Sequence, residues 1–208
     1  MENRQRAPPL LGRILDVDEA LTEKFCRYSN HIPPLRWLKK YAKSLEVSCH
    51  GLPWFTGVIL MIVISSSPVM HEHQVNLLFG LFVDVILVAI IKAYVRRRRP
   101  LKNRGDMFAT FSIDNFSFPS GHASRAVMVA YFFTMLCPLP SFCVFPLLMW
   151  AISVCLSRIL LNRHYLLDVI GGVTLGYLEG IILSILWLSE GLSCYLISWM
   201  SSTMYDEG

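Results

Sequence analysis

Charge is scarce along most of this chain. Asp, Glu, Lys and Arg make up 16% of its 208 residues, against 54% apolar residues. A soluble domain carries about 25% charged residues, and mean hydropathy here is positive at +0.47. No CxxC pair occurs among the six cysteines (Cys26, Cys49, Cys137, Cys143, Cys155, Cys194), four of which lie in or beside apolar runs. They read as small apolar side chains rather than as a disulfide framework. Met1 to Arg13 is polar and has no apolar h-region, so a cleaved signal peptide is not expected and the first membrane helix would direct targeting. No internal repeat or low-complexity segment is present. Lys and Arg cluster before residue 44 and between Arg96 and Arg104, beside apolar segments. Cytoplasmic flanks of membrane helices look like this, whereas a nucleic-acid surface interleaves its cations with polar and aromatic residues.

What is present is a series of spans. Gly51–Met70 has no charged residue, and Gln74–Ile91 is interrupted only by Asp84. Ala126–Ser157 is uncharged and broken into two helices at Pro138-Leu139-Pro140; Val169–Ser189 contains only Glu179. About 20 apolar residues make one crossing. The expected fold class is therefore all-α, an integral membrane helical bundle with five crossings. Gly191–Tyr205 would add either a sixth half-crossing or a surface helix. Residues 1–13 read as a disordered leader and 51–208 as the membrane domain. Between them, 14–50 alternates apolar and charged residues at helical spacing and is divided by Pro33 and Pro34. It is either a pair of interfacial amphipathic helices or a cap on the bundle. The turns near Glu72 and Pro140 are short and lack Lys and Arg. The segments Arg96–His122 and Arg158–Asp168 hold the polar chemistry, and five crossings place them on one face.

Three clusters carry that chemistry. Lys92 and Arg99 are seven apart, two helical turns, before Pro100 stops the helix. Such cations suit an anion with several oxygens, Arg offering a planar fork for phosphate, although a four-Arg run also serves as a headgroup anchor. In Phe118-Pro119-Ser120-Gly121-His122-Ala123, a Ser-Gly pair opening a helix leaves backbone N–H groups for an anion, and His122 can pass a proton. Ser120 could equally be only a cap. In Ser157-Arg158-Ile-Leu-Leu-Asn-Arg-His164-Tyr-Leu-Leu-Asp168, helical spacing sets Asp168 beside the His164 ring. It would fix one tautomer there and leave the other nitrogen to attack.

Taken together, Lys-x6-Arg-Pro, Pro-Ser-Gly-His and Ser-Arg-x5-His-x3-Asp resemble the three-part signature of the type 2 phosphatidic acid phosphatase superfamily. All three parts stand in order and with intact spacing, over roughly Gly51 to Leu188. Within it, the chain looks most like the polyisoprenoid diphosphate phosphatases of the presqualene diphosphate type. Lys-x3-Arg-Arg-Arg-Arg-Pro, Asp106-Met107-Phe108, Phe-Ser-Phe-Pro-Ser-Gly-His-Ala and the charged N-terminal region carry that likeness. The resemblance implies a lipid phosphatase whose His164 attacks phosphorus to form a phosphohistidine. Asp168 would orient His164, and His122 would protonate the leaving oxygen and then help activate water. Lys92, Arg99, Ser120, the Gly121 amide and Arg158 would bind the phosphate. That many donors around one phosphoryl group leave no need for a metal, and no cofactor is expected. The implied substrates are farnesyl, geranylgeranyl and presqualene diphosphates. Phosphatidic acid, lysophosphatidic acid and sphingosine phosphate are the alternatives, and a non-enzymatic membrane partner of the same fold is a further one. Vanadium haloperoxidases share the motifs but are soluble.

Asp84 and Glu179 could line a substrate path or be paired inside the bundle. Arg125 could meet a second phosphate; Arg96, Arg97 and Arg98 could meet a diphosphate or anionic headgroups. His31, His50, His71 and His73 receive no role. The nine Lys and Arg before Gly51 argue for a cytoplasmic site by the positive-inside rule, whereas many members of the resembled family face the lumen or exterior. The same resemblance implies residence in the endoplasmic reticulum and nuclear envelope. Membrane lipids are the other expected partners, nucleic acid is not, and oligomeric state stays open.

Overall fold

Among the residues described by a computed structural model, 9–100 and 116–206, there are eight α-helices. They are α1 (Pro9–Ser29), α2 (Pro33–Ser48), α3 (Gly51–Ile64), α4 (Pro68–Val95), α5 (Gly121–Tyr131), α6 (Ser141–Leu160), α7 (Leu166–Ile185) and α8 (Glu190–Asp206), with a π-helical turn at Phe132–Leu136. Among the described residues there is no strand, only an isolated bridge between Arg98 and Phe116. The all-α expectation therefore holds. Prolines start α2 and α4, where a missing N–H costs nothing and φ is already helical. The helix α1 begins at Pro9, inside the stretch expected to be a leader. The six cysteines are free.

Among the described residues, three helices are long and apolar enough to cross a membrane: α4 with 28 residues, α6 with 20 and α7 with 20. A fourth span is reached if α2 and α3, bent by 48° at their junction, count as one. These helices make the chain an integral membrane protein. The apolar run expected as a crossing from Gly51 stops as a helix at Ile64, after 14 residues, about 21 Å at 1.5 Å per residue. Ser65–Ser67 makes the break, and Pro68 restarts the chain as α4. Glu72 is consequently not in a turn. It lies one turn inside α4 and accepts a hydrogen bond from Trp187 Nε1 at 2.7 Å. Beside it, Asn76 exchanges two 2.8 Å bonds with the backbone of Leu188. These contacts satisfy polar groups at the α7–α8 corner, and α8 packs along α4.

Outward faces carry Ile59, Leu60, Val63, Phe82, Ile86, Ile90, Phe145 and Ile182, as expected of a surface whose solvent is lipid. Inside, Val58, Leu77, Leu81, Met128, Val129, Phe132 and Leu183 form the main core. The centre of the fold is the contact between α5 and α7. Gly172, Gly176 and Gly180 recur every fourth residue and so share one face of α7. A Cβ at Gly172 would strike the Ser120 carbonyl oxygen, and one at Gly176 the Ser124 carbonyl oxygen. Gly180 likewise leaves room for the Tyr131 side chain. Small residues let backbones approach in this way where no hydrophobic force distinguishes protein from lipid.

The buried charges follow from that approach. Arg125 of α5 pairs with Asp84 of α4 at 2.7 Å and also donates to the Cys49 carbonyl at 3.2 Å. Ser124 donates to Glu179 at 2.9 Å. Of the two alternatives for Asp84 and Glu179, internal pairing is the one observed, and Arg125 is spent on it rather than on a second phosphate.

Gly176→Ala should lower the melting temperature in detergent, because backbone blocks the added methyl. Overpacking costs about 1–3 kcal/mol, which is roughly 2–10 °C for a chain of this size. Gly57→Ala, with nothing within 4 Å of its Cβ position, should melt like the parent protein; thermal unfolding of both variants checks the pair.

Candidate active site

Four elements meet at one end of the bundle. The end of α4 delivers Lys92, buried on its last turn at 5% exposure. Helix α4 then stops at Val95, with Arg96 in the left-handed region at φ 51°. The stop thus precedes Pro100, and Lys92 and Arg99 do not share a helix face as their spacing suggested. Arg99 arrives on the extended segment after α4. That segment is held in place where Ser117 N donates to the Arg97 carbonyl at 2.8 Å. Residues 101–115, with Asp106, Met107 and Phe108, lie outside the described residues.

Ser120 stands at the N-cap of α5, but its hydroxyl makes no cap bond. Its Oγ is buried with no hydrogen-bond partner, and so is His122 Nε2 in the first turn. Ser120 as a mere cap is thereby set aside. Its backbone N–H donates to the Asp168 carbonyl at 3.0 Å, joining the start of α5 to the start of α7. Gly121 sits against Val88 of α4, where a Cβ would come within 3.2 Å of a methyl.

From the last turn of α6, Arg158 enters fully buried at 0% exposure. All three of its guanidinium nitrogens lack a hydrogen-bond partner, and its ion-pair contact is Glu46 of α2 at 3.5 Å. Glu46 also pairs with Arg163 at 3.8 Å. A buried charge so poorly satisfied costs several kcal/mol, and an anion with several acceptor oxygens would remove that cost.

His164 lies between α6 and α7, not on a helix, so the argument from helical spacing to its tautomer does not hold. Its Nδ1 is 2.7 Å from the Ser117 carbonyl and 3.8 Å from Asp168 Oδ2. A carbonyl only accepts, so Nδ1 carries the proton and Nε2 keeps its lone pair. Burial, the first cause, with Arg158 and Arg99 opposing the favourable Asp168, lowers the His164 pKa to about 4. At neutral pH the ring is uncharged and can attack.

Asp168 is held by other groups. Tyr165 N donates to its Oδ2 at 2.9 Å, and Arg97 binds its Oδ1 at 2.7 Å. Arg97 also pairs with Asp18 of α1 and lies over the Tyr165 ring, 4.3 Å from its centroid. Asp18, Glu46, Arg97 and Ser117 are the residues that sequence reasoning missed. Arg97 was read as meeting a diphosphate or anionic headgroups, and Ser117 acts through its backbone, which no side-chain pattern reports. Asp18 and Glu46 carried no signal, as two of many charges on amphipathic helices. His50 caps α3, accepting from Leu52 N at 3.3 Å, with its ring 6.1 Å from that of His122.

A helical membrane protein with a basic pocket, an uncharged buried histidine and unsatisfied donors at one end is built to hold an oxyanion. Residues 74–190 match the PAP2 superfamily. The probable lipid phosphate phosphatase beta of Arabidopsis thaliana is 39% identical over 197 residues, covering 82% of this chain and 89% of that protein. Phosphatidylglycerophosphatase B of Bacillus subtilis (strain 168) is 32% identical over 112 residues, 49% of this chain and 51% of that one. Two crystal structures share the fold at a TM-score of 0.59. One is LpxE of Aquifex aeolicus, 22% identical over 78% of this chain and 94% of its own. The other is the transmembrane PAP2-type phosphatidylglycerolphosphate phosphatase of Bacillus subtilis, 23% identical over 80% and 84%. The chain belongs to the PAP2 superfamily, a family of phosphatases that act on lipid phosphates.

If an anion completes the site, inorganic phosphate or orthovanadate should raise the melting temperature. Arg158→Met, an apolar side chain of similar length, should melt at or above the apo parent and lose the anion-dependent rise. An unchanged rise in the variant would show that the anion binds elsewhere.

Proposed function

We propose that this protein hydrolyses polyisoprenoid diphosphates and monophosphates in the membrane, through a phosphohistidine on His164. The orphaned guanidinium of Arg158, buried beside a neutral histidine whose Nδ1 is engaged, carries the reading. A phosphoryl group entering there would accept from Arg158, Lys92, Arg99, the Ser120 hydroxyl and the first amides of α5, at its positive dipole end. His164 Nε2 attacks phosphorus, and the P–O bond to the leaving group breaks as His122, charged once the phosphate anion lies beside it, gives that oxygen a proton. Water then attacks the phosphohistidine, His122 takes the proton back, and free phosphate leaves. The imidazolium character of the intermediate is balanced by Asp168. These side chains suffice for the charge of the transition state, so the reaction is expected to run without a metal.

The lipid substrate follows from the site's position at one end of the spans, where a headgroup reaches the pocket while its chain stays among the helices. The isoprenoid preference rests on the motif resemblance in Lys92–Pro100 and Phe116–Ala123. Five crossings, with α3 and α5 as shortened ones, and residence in the endoplasmic reticulum and nuclear envelope belong to the same reading. Phosphatidic acid is the competing substrate, motivated by the Arabidopsis thaliana relative, a probable lipid phosphate phosphatase.

Phosphate release from farnesyl diphosphate and from phosphatidic acid, in detergent micelles with EDTA, tests this. The diphosphate should turn over faster, and His164→Ala should lower kcat by at least about 10³-fold, as loss of a nucleophile does. Preference for phosphatidic acid would discard the isoprenoid assignment, and full activity in the variant would discard the mechanism.

A further inference from the structure

Helix α1 is amphipathic but packs the wrong way round for an ordinary core helix. Leu10, Leu11, Ile14, Val17 and Leu21 are exposed, between 45% and 71%. Its polar residues Asp18 and Thr22 are each only 3% exposed. Phe25 and Cys26 touch the small cluster of Ala123, Ile159 and Val169, and the turns before them reach the start of α7 through polar contacts. Asp18 Oδ1 accepts from Leu167 N and Thr22 Oγ1 accepts from Leu166 N, both at 3.0 Å. Those amides are first-turn donors of α7 that have no partner within their own helix. The other Asp18 oxygen takes one arm of Arg97, whose second arm holds Asp168.

We propose that α1 is part of the catalytic apparatus, with Asp18 a positioning residue that acts on Asp168 and His164 through Arg97. This rests on the reading of His164 as the nucleophile. One guanidinium shared between two carboxylates leaves a net negative charge, so Asp168 keeps part of its field for the histidine. Were Arg97 given wholly to Asp168, that field would be cancelled. The first turn of α7, which carries Asp168, is fixed by the same aspartate and by Thr22. Sequence gave no sign of this link, because Asp18 and Asp168 are 150 residues apart.

The charges around His164 give the two ends of the network opposite signatures. Asp168 faces the ring from α7, Arg158 from α6, Arg99 from the segment after α4 and His122 from α5. Glu46 of α2 offsets Arg158, and Arg97 and Asp18 lie one layer further out. Arg97→Met removes a cation, so protonation of His164 becomes easier. The acidic limb of kcat/KM should therefore move up by about half to one pH unit. Asp18→Asn removes an anion, so the limb should stay or move down.

The experiment is steady-state hydrolysis of a detergent-dispersed lipid phosphate by the full chain, from pH 2.5 to 8. It compares wild type with Asp18→Asn, Asp18→Glu, Arg97→Met and His164→Ala, each checked for a monodisperse gel-filtration peak. Loss of activity in His164→Ala establishes the nucleophile independently of the network. Asp18→Asn should then lower kcat about 10- to 100-fold, as loss of an outer-shell partner does, with KM little changed and with partial recovery in Asp18→Glu. Wild-type kcat in Asp18→Asn would overturn the proposal and leave the nucleophile standing. Equal losses with unshifted pH profiles in both network variants would also overturn it, in favour of simple structural damage. Should Asp18→Asn fail to fold, the limb of Arg97→Met decides: an upward shift supports the network and an unshifted limb sinks it.

Discussion

The near contact of two backbones, α5 and α7, is the constraint on which the rest depends. Three glycines on one face of α7 let the carbonyls of Ser120 and Ser124 lie where side chains would otherwise stand. In a membrane such closeness must come from shape, because lipid competes for every apolar surface. Its consequence is chemical. The first turn of α5, with Ser120 and His122, is brought to the first turn of α7, with Asp168, and the Ser120 N–H to Asp168 carbonyl bond records that meeting. Two helix N-termini, both positive ends of dipoles, then face one small volume.

Positive charge concentrated there requires compensation, and the structure provides it in layers. Arg158, buried beyond the reach of water, is offset at 3.5 Å by Glu46 from α2. Arg97 is shared between Asp168 and Asp18. The deeper cation, Arg125, is matched by Asp84 within the bundle. At the end of α6 and the start of α5, the nitrogens of Arg158, Ser120 Oγ and His122 Nε2 make no hydrogen bond, and neither does Arg125 Nε in the paired layer.

How much could be read beforehand varied with the kind of residue. His164 and Arg158 stand together in the structure as their shared motif suggested, because a short junction leaves them little choice. Asp168 does lie beside the His164 ring, at 3.8 Å, but helical spacing is not the reason, since His164 precedes the helix and its Nδ1 is held by the Ser117 carbonyl. The two-turn spacing of Lys92 and Arg99 failed likewise, because Arg96 ends α4 in a left-handed conformation that no local proline announces. Glu72 was placed in a turn because charge interrupts hydropathy. It lies inside α4, where Trp187 supplies a partner.

What the sequence by itself determined is the solvent, the fold class and the family. Apolar runs about as long as a bilayer is thick permit helices and little else, and three motifs in fixed order carry the likeness to the PAP2 superfamily. Tertiary structure alone decided which carboxylate balances which cation, and which acceptor holds the His164 ring. Ion pairs such as Asp18 with Arg97, or Glu46 with Arg158, join residues far apart in the chain. Sequence periodicity describes only neighbours within one element, so their pairing became visible once α1 and α2 had docked on the bundle.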